Sequence, residues 1–284
     1  MVEIIFQNEM DSSSLFNHLI RCLKPCYHQN ILLNEDRHIL SIQNEDFDGE
    51  ALKKLKKSFY NFIYEIKLEH WCRGFLKDHF YYEDLEEQQQ IVAIFYSILQ
   101  GCRQELPTAV PVERGESVLN EAINQIFLET SSFSFDSFVK FRLRDYFRML
   151  ESFLEVSIDE YKMEQEYQVF VQTLREFLCN RPSKMALLHI VFDEEITFFN
   201  EQFHEIKRSE LIKMVDRKLL FNHPVYVDSV SIAPLLSIAP SSVVIYTQNP
   251  EQPLIRTIHN IFEERITIRS LSDFGESDKK NLSS

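Results

Sequence analysis

The amino-acid sequence predicts an α+β protein that is predominantly helical, with a central helical bundle flanked by a small N-terminal βαββ piece and a C-terminal α/β piece. Three observations favour this class. Apolar residues recur every three or four positions through the middle of the chain, as one face of a helix requires. Short runs rich in β-branched residues stand near both ends. Only 5 of 284 residues are glycine, against an average of about 7%, so glycine mostly punctuates helices.

The N-terminal piece, residues 1–48, is predicted to have the order β-α-β-β. Residues 2–6 form a short strand, and a helix begins between Asp11 and Ser14, because a short side-chain oxygen can accept the unpaired amides of a first turn. Residues 30–34 and 38–43 are predicted strands on either side of a polar turn. A piece of this size cannot bury both faces of a sheet, so we expect it to pack on the helical zone that comes after it in the chain.

The middle zone, residues 49–181, is predicted to be the helical domain. Its first helix carries one apolar stripe that includes His70, which we interpret as a core histidine; the stripe is Leu52, Leu55, Phe59, Phe62, Ile63, Ile66, His70 and Trp71. Further helices are predicted over residues 83–106 and 116–129. Residues 131–134 offer capping side chains to a run from 135 to 179, whose two apolar stripes indicate at least two helices.

The C-terminal zone, residues 182–271, changes to a β-type period. The predicted elements are a buried strand at 186–192, a hairpin partner at 196–206, a helix at 209–219, a strand at 243–247, a helix at 253–265 and a closing strand at 266–269. Residues 225–240 give no clean signal, and the tail 272–284 is predicted to be disordered. Each end of the chain has an incomplete sheet, so we expect the two terminal pieces to pack together.

Composition excludes several classes of function. The dinucleotide loop, the P-loop and the hydrolase elbow each need two glycines within about eight positions, whereas the closest pair here is Gly101 and Gly115. The net charge of −14 disfavours a general polyanion binder, so no nucleic acid is expected. The chain has no apolar run long enough for membrane insertion and no signal peptide. Five scattered cysteines favour free thiols in a reducing cytoplasm.

A family resemblance rests on residues 138–146, which have the sequence FVKFRLRDY, and on residues 161–167, YKMEQEY. With the aromatic helix at 60–64 and the late APSSVVI stretch at 239–245, these segments resemble the YtxC-like family of sporulation proteins, from about Ile4 to about Leu271. The resemblance implies a cytoplasmic protein of spore-forming bacteria. It implies no known reaction, cofactor or catalytic residue.

The same segment holds the candidate binding residues Lys140, Arg142, Arg144 and Arg148. Lys140, Arg144 and Arg148 are spaced i, i+4, i+8, so a continuous helix would stack them on one face, with Arg142 nearby. They favour a site for an anion or an acidic protein partner. The alternative is pairing within the chain, for instance with Asp145, and this is the more common fate of charged helix faces.

An enzymatic alternative uses Asp193, Glu205 and Lys207. Some metal-dependent nucleases place an Asp at the end of one strand and Glu-x-Lys on the partner strand of a hairpin. Glu205 and Lys207 would then project to the same face, where the carboxylates bind a cation and the lysine orients water. The competing interpretation is a solvated hairpin edge, since these are three common residues at loose spacing.

No other pattern predicts chemistry. Cys22, Cys26 and His28 lack the second Cys/His pair that a zinc site needs, so no metal or cofactor is expected. We therefore expect a non-enzymatic cytoplasmic interaction or regulatory protein of sporulation with an unknown protein partner. The metal-dependent phosphodiesterase is the alternative, and the oligomeric state stays open.

Overall fold

The structure is a computed structural model, and it describes residues 1–103, 112–128, 132–193, 195–216 and 231–274. The chain forms two compact units: an N-terminal unit, Met1–Met163, and a C-terminal unit, Glu164–Ser284. These limits do not coincide with the predicted boundaries at residues 48 and 181. The predominantly helical α+β class is confirmed.

The sheet of the N-terminal unit has four strands: β1 Val2–Ile5, β2 Ile31–Asn34, β3 Ile39–Ile42 and β4 Ser132–Ser134. The order is β2-β3-β1-β4, with β3 antiparallel to both neighbours and β4 parallel to β1. Strand β4 was not predicted, because three residues are too few to display a two-residue period. It completes the sheet that the N-terminal piece leaves unfinished, so each sheet is completed within its own unit.

The helices are α1 Glu9–Cys22, α2 Gly49–Asn61, α3 Leu68–Asp78, α4 Leu85–Leu99, α5 Val112–Leu128, α6 Phe135–Ser137 and α7 Arg144–Cys179. The predicted start of α1 was late, because Asn8 rather than a residue of 11–14 is the N-cap and accepts the Asp11 amide. Helix α7 is one helix of 36 residues where two were predicted. It contains neither proline nor glycine, so nothing in its backbone requires a break.

Two π-helical segments interrupt the α-helical pattern, at Phe62–Lys67 and Phe138–Arg142. The first joins α2 to α3 through a bond from the Leu68 amide to the Ile63 carbonyl. One extra residue in the turn rotates the rest of the helix, so Lys67 becomes buried while His70 is exposed. The interpretation of His70 as a core histidine was therefore wrong. The Lys67 ammonium lies 2.8 Å from the Asp11 carboxylate on α1.

Phenylalanine rings dominate the core of the N-terminal unit. The fully buried Phe59 ring lies between 6.0 and 6.5 Å from the ring centroids of Phe62, Phe127, Phe135 and Phe138. Both π-helical segments thus begin with a ring that packs on Phe59. Because interlocking rings leave little free volume, this cluster fixes how the two segments are placed.

The C-terminal unit contains β5 Leu187–Phe192, β6 Ile196–Phe199, β7 Ser242–Thr247 and β8 Ile266–Ser270, with helices α8 Arg208–Met214, α9 Ile232–Ile238 and α10 Pro253–Phe262. The strand order is β6-β5-β7-β8; only β6 is antiparallel to its neighbour. Helix α9 was not predicted, and all of its residues are buried. A helix that is buried on every side has no polar face, so its sequence shows no helical period.

The predicted disordered tail, 272–284, falls mostly outside the described residues. Its described part belongs to residues 271–274, which form one helical turn after β8. Among the described helices, none combines the length and apolar character that crossing a membrane would require.

Candidate functional site

A groove with a volume of about 200 Å³ lies on the N-terminal unit between α5, β4 and the second π-helical segment. Its apolar lining comes from Ala122, Ile126, Phe133, Phe138 and Phe141. Polar side chains also line it, namely Gln125, Ser134, Ser137 and Arg142. The groove thus combines a hydrophobic floor with hydrogen-bonding groups and a cation.

Local backbone chemistry explains why this segment forms a wall of the groove. The Ser134 hydroxyl accepts the Ser137 amide at 3.4 Å and so starts the helical turn directly after β4. The Leu143 amide then donates to the Phe138 carbonyl at 3.2 Å, which is the wide π-helical turn. Within that turn Phe138 is buried, whereas the side chain of Phe141 is directed to solvent and is 69% exposed. An aromatic ring this exposed is a common feature of binding surfaces.

The rim of the groove is basic. The Arg142 guanidinium donates to the Gln125 side-chain carbonyl at 2.6 Å, so a residue of α5 holds it at the groove edge. The Lys140 ammonium lies 5.7 Å from the centre of the Phe141 ring, within range of a cation–π attraction. Both cations are exposed, and Lys140 remains hydrated and available to an acidic group.

The predicted stack of Lys140, Arg144 and Arg148 on one helix does not form as expected. Leu143 leaves the helical conformation, with φ −95° and ψ 11°, so Lys140 lies in the π-helical segment and α7 begins only at Arg144. Arg148 pairs with Asp145 at 3.2 Å, and both side chains are mostly exposed. This pair agrees with the pairing alternative at Arg148. An exposed pair of this kind contributes little to stability.

The charge of this stretch differs from that of the whole chain. Residues 135–148 carry four cations (Lys140, Arg142, Arg144, Arg148) and two acids (Asp136, Asp145), which gives 4 − 2 = +2. The whole chain has a net charge of −14. In the described part of the chain, neither Lys140 nor Arg144 forms an ion pair with another residue. This wall of the groove is therefore a locally positive segment of an acidic protein.

The structure does not assemble Asp193, Glu205 and Lys207 into a metal site. Asp193 follows β5 beyond the Phe192–Ile196 pair, whereas Glu205 pairs with Phe199 at the other end of β6. Phe199 lies opposite His189, four residues before Asp193, so the two carboxylate residues are separated by about 13 Å along the strands. Two carboxylates that share one cation must approach within a few ångströms, since ligand distances are about 2.0–2.6 Å. The geometry required by the enzymatic alternative is absent.

Other nucleophilic and metal-binding types occupy structural positions. The His18 imidazole contacts the Cys22 sulfur at 3.6 Å and Arg21 at 3.3 Å, and burial followed by the Arg21 charge lowers the pKa of His18. Burial raises the pKa of the Cys72 thiol to about 12, so that thiol stays neutral and unreactive. Within the described ranges no three His, Cys, Asp or Glu side chains form a group that could hold a metal ion.

Sequence reasoning found the cations of the groove but missed its aromatic and polar parts. Phe141 and Gln125 were not predicted as site residues, and Ser134 was predicted only as one of the capping residues 131–134. The available signal was the Phe at position 141, which lies between two cations in the segment that carries the family resemblance. Gln125 belongs to a separate helix, and no local pattern places it beside Arg142.

The fold and the groove define the class: a predominantly helical α+β protein with two small mixed sheets and a basic-rimmed apolar groove. A family model for the YtxC-like family matches residues 53–267. The chain therefore belongs to the YtxC-like family, and the predicted resemblance is confirmed. It is 34% identical over 279 residues to the Bacillus subtilis (strain 168) protein titled "Uncharacterized protein YtxC", covering 98% of this chain and 97% of the relative. No solved structure matches.

Proposed function

We propose that this chain is a non-enzymatic interaction protein of sporulation and that its groove binds an acidic segment of a protein partner. The observation that carries the proposal is the local net charge of +2 over residues 135–148 in a chain of −14. The field of the whole protein repels acidic partners, so the rim is where a short-range attraction can select one.

The groove also limits the shape of the partner. Its volume of about 200 Å³ is smaller than the roughly 300–1,000 Å³ of a site for a drug-sized ligand. One apolar side chain fits such a space, and the exposed ring of Phe141 offers it a second apolar surface. We therefore expect the partner segment to present one aromatic or aliphatic anchor flanked by carboxylates.

The connection to sporulation and to the cytoplasm rests on the family resemblance. Five free cysteines are compatible with a reducing compartment. Nucleic acid is not expected as the partner, since a backbone of phosphates requires a larger cluster of cations than this rim supplies. The proposal includes a regulatory role, which the protein would exert by binding its partner at the groove.

Charge reversal at the rim tests the proposal in cells. A strain that lacks the protein is complemented with wild type, with the rim variant Lys140→Glu/Arg142→Glu, or with the control Lys77→Glu/Lys162→Glu. The control makes the same change of charge at exposed positions on α3 and α7 that do not line the groove. We expect the rim variant to lower the number of spores and the control to restore it. A folded rim variant that sporulates as wild type does would refute the sporulation role of the groove.

A binding assay tests the partner chemistry separately. The probe is a fluorescent peptide with one central leucine between glutamates, compared with the same peptide built on lysines. We expect wild type to prefer the glutamate peptide, and we expect both Phe141→Ala and the rim reversal to weaken its binding by about tenfold or more. Added salt should weaken binding as well. Equal binding of the two peptides, or unchanged binding by both variants, would exclude an acidic partner at the groove.

A further inference from the structure

The sheet of the C-terminal unit has two chemically different faces. Leu188 and Ile190 of β5, with Val243 and Ile245 of β7, belong to the hydrophobic core that includes the helices. Alternate residues on a strand point to opposite faces, so His189 and Tyr246 lie on the other face. The register sets His189 opposite Phe199 of β6, which places that ring on the same face.

His189 is enclosed by aromatic rings on this second face. His189 is only 4% exposed. The Phe203 ring is stacked on its imidazole, with the ring centroids 4.2 Å apart. The Tyr246 hydroxyl lies 3.2 Å from Nδ1. The other ring nitrogen, Nε2, is buried and has no hydrogen-bond partner among the residues that the structure describes. A buried unpaired nitrogen is uncommon in folded proteins and calls for an explanation.

Residues 271–274, which we call the C-terminal strap, cover this enclosure. The strap follows β8 at one edge of the sheet, yet the Phe274 ring lies 4.8 Å from Phe199 on β6, the strand at the opposite edge. Phe274 also contacts Tyr246 at 5.1 Å and Phe203 at 5.8 Å. The strap therefore crosses the face of the sheet and closes over the aromatic rings around His189.

The elements around His189 carry both acidic and basic groups. The ionisable groups there are Tyr246 on β7, Arg269 on β8, Asp273 on the strap, and Glu201, His204 and Glu205 after β6. Burial, followed by the positive charge of Arg269, lowers the pKa of His189. A protonated imidazole would add a positive charge close to that of Arg269. Its Nε2 proton would have no hydrogen-bond acceptor among the described residues.

We propose that His189 is a pH-sensitive latch, over which the C-terminal strap closes when the imidazole is neutral and from which it opens when the imidazole is protonated. The closed state excludes the proton, and the open state accepts it near the ordinary value of 6.5. Closure is therefore complete above about pH 6.5 and weakens as the pH falls below it, by at most about tenfold per pH unit. Opening exposes His189 and Tyr246 to a binding partner.

Hydrogen exchange of the full-length chain tests the latch. Exchange of peptides covering residues 199–205 and 266–274 is measured at about pH 7.5 and about pH 5.7, after correction for the intrinsic pH dependence of exchange. We expect opening of these segments in wild type to increase about three- to sixfold at the lower pH. His189→Gln should remove this increase, because glutamine does not titrate. His204→Gln alters an exposed histidine next to Phe203 and should retain the increase.

Each result decides for or against the latch. The ratio between the two pH values is compared within one variant, so a general loss of stability in His189→Gln does not imitate the expected result. His189→Phe keeps a ring in the enclosure and provides a second non-titrating variant if glutamine fails to fold. An equal pH effect in wild type and in the non-titrating variant would refute the proposal, and so would a wild type that opens equally at both pH values.

Discussion

Each unit has nitrogen-containing side chains near aromatic rings, but these side chains are exposed in one unit and buried in the other. In the N-terminal unit Lys140 and Arg142 are exposed, and so is the neighbouring ring of Phe141. In the C-terminal unit His189 is buried beneath Phe203 and the C-terminal strap. A hydrated cation can attract a partner at little cost in stability, whereas a buried imidazole loses hydration and gains sensitivity to protonation. The comparison teaches that burial, rather than residue type, separates a docking surface from a switch.

The two arrangements also arise from different levels of structure. The groove depends on a local backbone irregularity, the π-helical segment Phe138–Arg142, which directs Phe138 inward and Phe141 outward. The His189 enclosure depends on sheet topology, since strands β5, β6 and β7 and the strap each supply one side of it. This difference is tested by comparing variants of a buried ring with variants of an exposed ring. It is tested further by comparing a paired, buried charge with an exposed one.

The largest effect is expected for the inward ring of the aromatic core. Phe59→Ala should lower the free energy of unfolding by about 3–5 kcal/mol, because it removes a fully buried ring and leaves a cavity. Phe141→Ala should change it by less than about 0.5 kcal/mol, since that ring is mostly exposed. Denaturant unfolding followed by fluorescence of Trp71, the single tryptophan, reports on the unit that contains both rings. Comparable losses of stability for the two variants would mean that Phe141 supports the fold. It would then not serve as an exposed binding surface of the groove.

A smaller effect is expected for the buried charge of the N-terminal unit. Lys67→Met should cost about 2–3 kcal/mol, because it leaves the partly buried Asp11 carboxylate without its cation. Lys57→Met, an exposed lysine on α2, serves as the control and should be nearly neutral. In a double-mutant cycle, adding Asp11→Asn to Lys67→Met should recover part of the loss. Additive losses would show that the two side chains are not coupled, and that Asp11 does not stabilise the buried Lys67 ammonium.

The sequence anticipated regular elements and failed where the backbone departs from regularity. Strands β1, β3, β5 and β7 were predicted within one or two residues, because their β-branched runs are self-contained signals. The burial of Lys67 and the exposure of His70 were not predicted, since an assumed uniform helix has no place for a π-helical turn. Strand β4 and helix α9 were missed for different reasons: the strand is too short to show a period, and the helix is buried on every side.

The same limit applies to the sites. The cations of the groove were identified from one continuous segment, whereas Gln125, Phe133 and Phe138 meet them only through tertiary packing. His189 gave no signal, because Phe203, Tyr246 and Phe274 approach it from three separate parts of the chain. Spacing along a sequence predicts neighbours within one element and carries no information on contacts between elements.

The smallest effects concern two helical glycines of the N-terminal unit. At Gly74 on α3 an added Cβ would meet no atom within 4 Å. Gly74→Ala should therefore raise the free energy of unfolding by about 0.5–1 kcal/mol through helix propensity alone. At Gly115 on α5 a Cβ would lie 2.2 Å from the terminal carbon of Met149 on α7.

Gly115→Ala gains the same propensity but forces the flexible end of Met149 to another rotamer. It should therefore stabilise the protein by about 0.5–1 kcal/mol less than Gly74→Ala does. Thermal unfolding of the two single variants measures the difference, and Gly115→Ala/Met149→Leu, with a shorter side chain at position 149, provides the matched relief of the contact. Because α5 also supplies Gln125 to the groove, binding of the acidic probe reports whether the helix itself moves, and we expect both glycine variants to leave binding unchanged. Weaker binding by Gly115→Ala alone would show that α5 is displaced, and that Met149 does not change its rotamer.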